Sequence, residues 1–131
     1  MSTDTLRKSA PASSVTQTAA GALIAAVHTA AARINFTAAI VLTDQGGHLK
    51  PFDRADNAPF LTAEVALDKA WTAASFHIPT HRWNDYLANP RVAPLAGHSR
   101  LMAVGGGYPT IENGRCIGGL GIAGGSYEQD Q

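Results

Sequence analysis

Apolar residues recur at helical spacing at Ala20, Leu23, Ile24, Val27, Ala30, Ala31 and Ile34, which predicts a helix over 15–33 with one buried face. Ser13 or Ser14 stands where a capping hydroxyl is expected. The polar residues ahead of it, 1–13, read as a disordered N-terminal arm, which leaves 14–131 as a single folded domain. The period then changes. Phe36 to Leu42 is apolar and partly β-branched, Asp44-Gln45-Gly46-Gly47 is a turn, and His48 to Phe52 is the return strand of a first hairpin. Arg54 to Asn57 is polar and loop-like, and Pro59 suits the first turn of a second helix over 59–76. One face of that helix carries Ala63, Ala66, Leu67, Ala70, Ala73 and Ala74. Thr80 is placed to cap a short helix bearing Trp83 and Tyr86, and Leu101 to Val104 reads as a strand.

The last quarter of the chain carries the most unusual pattern. Gly105-Gly106-Gly107-Tyr108-Pro109 is followed by Ile111-Glu112-Asn113-Gly114-Arg115 and then by Cys116-Ile117-Gly118-Gly119-Leu120-Gly121-Ile122-Ala123-Gly124-Gly125. Asn113-Gly114 signals a tight hairpin turn. Glycine inside a strand weakens it unless another backbone or a ligand approaches closely. The alanine face of the second helix is the natural partner, since its short side chains let it lie close. Hairpin-linked strands in two groups, with helices between, imply an α+β fold: an antiparallel sheet of about five strands packed by helices.

Composition narrows the function. The chain has 131 residues and a net charge of zero, so no basic stripe argues for nucleic acid or an anionic membrane surface. No apolar run approaches a membrane span, and the first residues lack the hydrophobic stretch of a signal peptide, so the chain as given reads as cytoplasmic. The lone Cys116 excludes an intrachain disulfide framework and, in an apolar strand, reads as a structural thiol. The scarcity of charge (15%) beside 45% apolar residues favours burial in an oligomer.

Val41-Leu42-Thr43-Asp44-Gln45-Gly46-Gly47-His48-Leu49, Phe52-Asp53-Arg54-Ala55-Asp56, Ala66-Leu67-Asp68-Lys69-Ala70-Trp71-Thr72-Ala73, the Gly105–Pro109 segment, and Ile117 to Gly125 with Glu128-Gln129-Asp130 stand in a family order. Together these segments resemble the GlcG/HbpS family of small bacterial proteins, over about residues 15–130. The resemblance implies a profilin-like α+β fold, a homo-oligomer, and a small-molecule ligand that in some members is haem, bound or helped toward degradation. Trp71 stands where the family usually has a smaller or basic residue, which implies a narrowed or reshaped pocket.

Two functional readings follow. In the first the chain is a GlcG/HbpS-like ligand binder with haem as its cofactor. Haem iron needs an axial ligand and an apolar slot. His48, His81 and His98 are the candidate ligands, though each reads more readily as an ordinary surface polar residue, with no haem attachment motif. In the second the chain is a cofactor-independent tautomerase, hydratase or deaminase acting on a small carboxylate of aromatic catabolism. Lys69 and Glu64 would then move the proton and Arg54 would anchor the carboxylate, with open backbone N–H groups of Gly105, Gly106 and Gly107 facing the developing charge. Asp53 and Trp71 complete the candidate ligand-binding set. Lys69 is also readable as a snorkelling lysine paired with Glu64 or Asp68, and Asp44 as a turn former. His77 and His81 have the spacing of a helical metal pair, but Pro79 between them breaks the helix, so no metal site is expected. The Gly119–Gly124 glycines match a dinucleotide spacing without the βαβ unit it requires.

Overall fold

The computed structural model describes residues 6–124. Residues 6–14 carry no helix or strand. The acidic segment Glu128-Gln129-Asp130 lies outside the described residues. The elements run α1 (Gln17–Arg33), β1 (Ala39–Thr43), β2 (Leu49–Arg54), α2 (Leu61–Phe76), a 3-10 turn at Thr80–Arg82, α3 (Trp83–Leu87), a second 3-10 turn at Ala93–Gly97, β3 (Gly107–Glu112) and β4 (Arg115–Ala123). The four strands form one antiparallel sheet in the order β2-β1-β4-β3.

Alternation along β1 decides which helix takes which face. Ala39 and Val41 pack with Ala66, Ala70 and Ala123 under α2. Leu42 packs with Val15, Ala20 and Ile117, and with Leu23 and Ile24, under α1. The α1 stripe is buried only in part: Ala20 and Ala31 are buried, whereas Ile34 is 57% exposed.

The seat of α2 is the glycine strand. Across the sheet, Phe52 pairs with Val41, Val41 with Gly121, and Gly121 with Gly107. A methyl group at Gly121 would overlap the carbonyl oxygen of Ala66, and one at Gly119 that of Ala70. Gly107 likewise sits under the carbonyl of Lys69. The helix backbone therefore rests on the sheet backbone with no side-chain layer between, which is the close approach that glycine in a strand permits. The expected pairing of the alanine helix with the glycine hairpin is what the structure shows.

Several local expectations are corrected. The sheet has four strands rather than about five, because Leu101 to Val104 is not a strand. That stretch is held to α2 by threonines: Thr72 Oγ1 donates to Arg100 O at 3.1 Å and accepts from Met102 N at 3.0 Å. Thr80 is not a cap. Its buried hydroxyl donates to Val104 O at 2.6 Å and accepts from Gly107 N at 2.8 Å. Thr16, not Ser13 or Ser14, caps α1 by accepting from Ala19 N at 3.1 Å. Ser14 instead accepts from Gln45 N at 2.9 Å, tying the lead-in of α1 to the first hairpin turn. Arg54 closes β2 rather than lying in the loop after it. The turn Asn113-Gly114 does have positive φ at both residues, 51° and 76°.

These two kinds of glycine predict different penalties. Gly121→Val forces α2 off the sheet and should lower unfolding stability by about 2–3 kcal/mol. Gly114→Ala meets no atom within 4 Å and costs only its positive φ, so the loss should be about 1 kcal/mol. Urea denaturation of the two variants checks the ranking.

Candidate functional site

Because α2 is drawn onto the glycines of β4 and β3, the edge strand β2 is left partly uncovered. Its inward residues Leu49 and Phe52 are 49% and 56% exposed. They form, with Val41, Ala63, Glu64 and Leu67, an apolar groove of about 160 Å³ between β2 and the outer side of α2. Phe60 and Leu61, at the start of α2, are also exposed, at 85% and 58%. A second cleft begins where the groove ends and shares Glu64 and Leu67 with it, adding Asp68 and Arg100. A third lies one turn further along the helix, lined by Gln45, Gly46, Gly47, Trp71 and Ser75.

The polar end of this run is tightly organised. Arg100 Nε donates to Asp68 Oδ1 at 3.2 Å, and its guanidinium stands 4.6 Å from the centroid of the Trp71 ring. The His98 ring stacks on Trp71 at 5.6 Å with an interplanar angle of 14°. Gly47 makes the room for this indole, since a side chain there would meet Trp71 Cδ1 at 2.7 Å. Trp71 lines the third cleft with its indole over Gly47. Arg100 was not singled out from the sequence, and Asp68 only as a possible partner of Lys69: the two are 32 residues apart and only the fold joins them.

The β1–β2 turn lines the third cleft with Gln45, Gly46 and Gly47 and also carries His48. Asp44 Oδ1 accepts from Gly46 N and from His48 N, both at 2.9 Å, and lies 3.2 Å from His48 Nδ1. Partial burial acts to raise the Asp44 pKa, but the His48 and Gly46 N–H groups and the nearby imidazole outweigh it and hold the carboxyl below its ordinary 3.8. An ionised carboxylate only accepts, so Nδ1 of neutral His48 is the protonated nitrogen and Nε2 keeps its lone pair. The His48 side chain is 81% exposed. His98 has the opposite tautomer when neutral: its Nδ1 accepts from Arg100 N at 3.2 Å, which puts the proton on Nε2. His81 is exposed on the far 3-10 turn, and His77 ends α2 in a left-handed conformation, so the helix breaks between them as expected. Among the described residues no group of three or more His, Cys, Asp or Glu could hold a metal ion.

The proposed acid–base set is not brought together. Lys69 is 1% exposed and points under α2, where Nζ donates to Ile122 O at 2.9 Å. Glu64 is exposed on the opposite, groove-facing side of the helix. Arg54 is spent locally, its Nη1 donating to Ala58 O at 2.6 Å. Asp53 lies on the α1 face of the sheet, with Oδ2 3.2 Å from His28 Nδ1. Gly105, Gly106 and Gly107 are buried, and the Gly107 N–H expected to face a ligand is already bonded to Thr80. Cys116 is half-buried and its thiol donates to Gly118 O at 3.2 Å, a structural role.

A four-stranded antiparallel sheet, a helix seated on its glycines and a half-open groove beside it define a small α+β protein with an apolar recess at one sheet edge. The profile of the family described as haem degrading protein HbpS-like matches residues 15–131, and the chain belongs to that family. A 15.0 kDa protein encoded in the dhaT-dhaS intergenic region of Citrobacter freundii is 33% identical over 129 residues, covering 96% of this chain and 91% of its own. The crystal structure of Klebsiella pneumoniae protein ORFY superposes with a TM-score of 0.89 at 32% identity, covering 96% of this chain and 89% of that one. The crystal structure of a PduOC–haem complex superposes with a TM-score of 0.80 at 29% identity, covering 89% and 87%. No described helix is long and apolar enough to cross a membrane.

Two outcomes follow for the groups just placed. Lys69→Ala removes a buried side chain and strands the Ile122 carbonyl, so it should cost about 2–4 kcal/mol in urea unfolding; a well-folded, fully stable variant would contradict the buried placement. The Asp44 carboxyl is lowered in the folded state, so its contribution is complete above pH 3.8 and is lost as pH falls through the folded value. Wild type should therefore unfold at higher temperature than Asp44→Asn at neutral pH, with the gap closing on acidification below pH 3.8.

Proposed function

We propose that the chain binds haem on the apolar groove between α2 and β2, with His48 as the axial ligand. The observation that carries this reading is the exposed apolar groove itself; His48 directly precedes its lining residue Leu49 in the chain, and its Nδ1 is engaged by Asp44. Haem asks for an apolar surface and one donor nitrogen; the groove supplies the first, and His48 of the adjoining β1–β2 turn is proposed as the second. Leu49, Phe52, Ala63 and Leu67 supply the surface. Of the three candidate histidines, His48 is the one whose Nδ1 is engaged as a donor, the arrangement usual for metal-bound imidazole. Membership of the HbpS-like family and the likeness to a haem-bound PduOC support the choice of ligand. Bound there, haem would supply an iron centre that takes up ligands and exchanges electrons. The protein's share is to shield one face of the macrocycle, to hold the donor nitrogen, and to close the polar end of the groove with the Asp68–Arg100 pair.

The recess on one chain is far smaller than a macrocycle, and Phe60 and Leu61 extend its apolar rim into solvent. A second copy of the chain laid on this rim would cover the exposed face, which makes a homo-oligomer part of the same reading. The carboxylate-enzyme reading has no comparable geometry, because Lys69, Glu64 and Arg54 point to three different places.

Titration of the purified protein with haem tests the proposal. A saturable Soret band should form in wild type, His81→Ala and His98→Ala, and should be lost or shifted in His48→Ala. An unchanged spectrum in His48→Ala, or no saturable band in wild type, would overturn it.

A further inference from the structure

We infer that the apolar groove and the cleft at its polar end together bind a free α-amino acid with a ring-sized apolar side chain. The inference is independent of the haem reading and concerns what one chain can hold by itself. The groove measures about 160 Å³, close to the roughly 150 Å³ of an apolar cavity that takes up benzene. Leu49, Phe52 and Leu67 line it, and Glu64 is the one charged residue on its wall. The cleft that continues it past Glu64 and Leu67 is larger, about 460 Å³, and adds Asp68 and Arg100. One cavity therefore suits an apolar ring, and its neighbour carries both signs of charge.

The charges are arranged for a zwitterion. Glu64 and Asp68 stand one turn apart on the same face of α2. Asp68 is already engaged, its Oδ1 accepting from Arg100 Nε at 3.2 Å. That bond and the Trp71 ring, 4.6 Å from the guanidinium carbon, fix the plane of the guanidinium. Its outer nitrogens, Nη1 and Nη2, and the Glu64 carboxylate make no hydrogen bond among the described residues. Such a fork matches the two oxygens of a carboxylate, and the Glu64 carboxylate accepts from an ammonium. An acid alone would meet two carboxylates against one guanidinium, and an amine alone would leave the fork unused. An α-amino acid carries both groups on the carbon that bears its side chain, so the ring enters the groove while the charges stay in the cleft.

Titration of the haem-free protein with L-phenylalanine, followed by nitrogen-15 NMR of the backbone amides, tests the inference. Saturable shifts should centre on Leu49, Phe52, Leu67 and Arg100. Binding should weaken about fivefold or more in Glu64→Gln and in Arg100→Lys, which keeps the charge and loses the fork. Glu64 is exposed, so its variant alters the site without disturbing the core. Binding should weaken as much for L-phenylalaninamide, which lacks the carboxylate and stands for a peptide N-terminus. The same holds for N-acetyl-L-phenylalanine, which lacks the ammonium and stands for a peptide C-terminus. No saturable shift in wild type, shifts centred elsewhere, or unchanged affinity in either variant would overturn the inference. Either derivative binding as tightly as L-phenylalanine would overturn it too, because one of the two charges would then have no partner in the cleft. None of these readouts involves haem, so the haem reading stands or falls separately on its Soret titration.

Discussion

The backbone of α2 lies directly on the backbone of β4. Ala66 and Ala70 present carbonyl oxygens to Gly121 and Gly119, with no room for a single Cβ between them. Every other feature of the molecule adjusts to that contact. It requires glycine on the sheet and alanine on the helix at the same time, and it fixes the height and lateral position of α2. It also makes Lys69 a buried residue, since a helix this close to the sheet directs one long side chain along the strand to the carbonyl of Ile122.

The lateral position has a functional consequence. A helix centred on β4, with β1 and β3 on either side, barely reaches β2, so the inward face of the edge strand stays open and apolar. The groove is therefore a by-product of the glycine seat. The β1–β2 turn beside it is held by Asp44 and Ser14, and the loop before β3 is held by Thr72 and Thr80. These side-chain bonds satisfy irregular backbone that the sheet does not, and they hold the turn that carries His48 and the loop that brings Arg100 to Asp68 on α2.

Much of the architecture is legible in the residues because periodicity and turn chemistry are local. The two long helices, the hairpin at Asn113-Gly114 and the pairing of small residues on α2 with the glycine strands follow from spacing alone. The strand expected at Leu101 to Val104 fails because its apolar residues are held by two buried hydroxyls on other elements, a contact that leaves no periodic trace. The site was legible only in pieces. His48 and Trp71 stand out as residue types, but the Asp68–Arg100 pair is made by the fold. Lys69 and Arg54 look reactive in sequence, yet the fold engages one with a buried carbonyl and the other with a local backbone carbonyl, contacts that spacing does not reveal.

Amide resonances broadened by paramagnetic haem locate the bound ligand directly. Broadening is predicted to centre on the β1–β2 turn, Leu49, Phe52, Ala63 and Leu67, fading toward α1. Broadening centred on α1 and the Asp53–His28 side of the sheet, with the groove residues untouched, would contradict it.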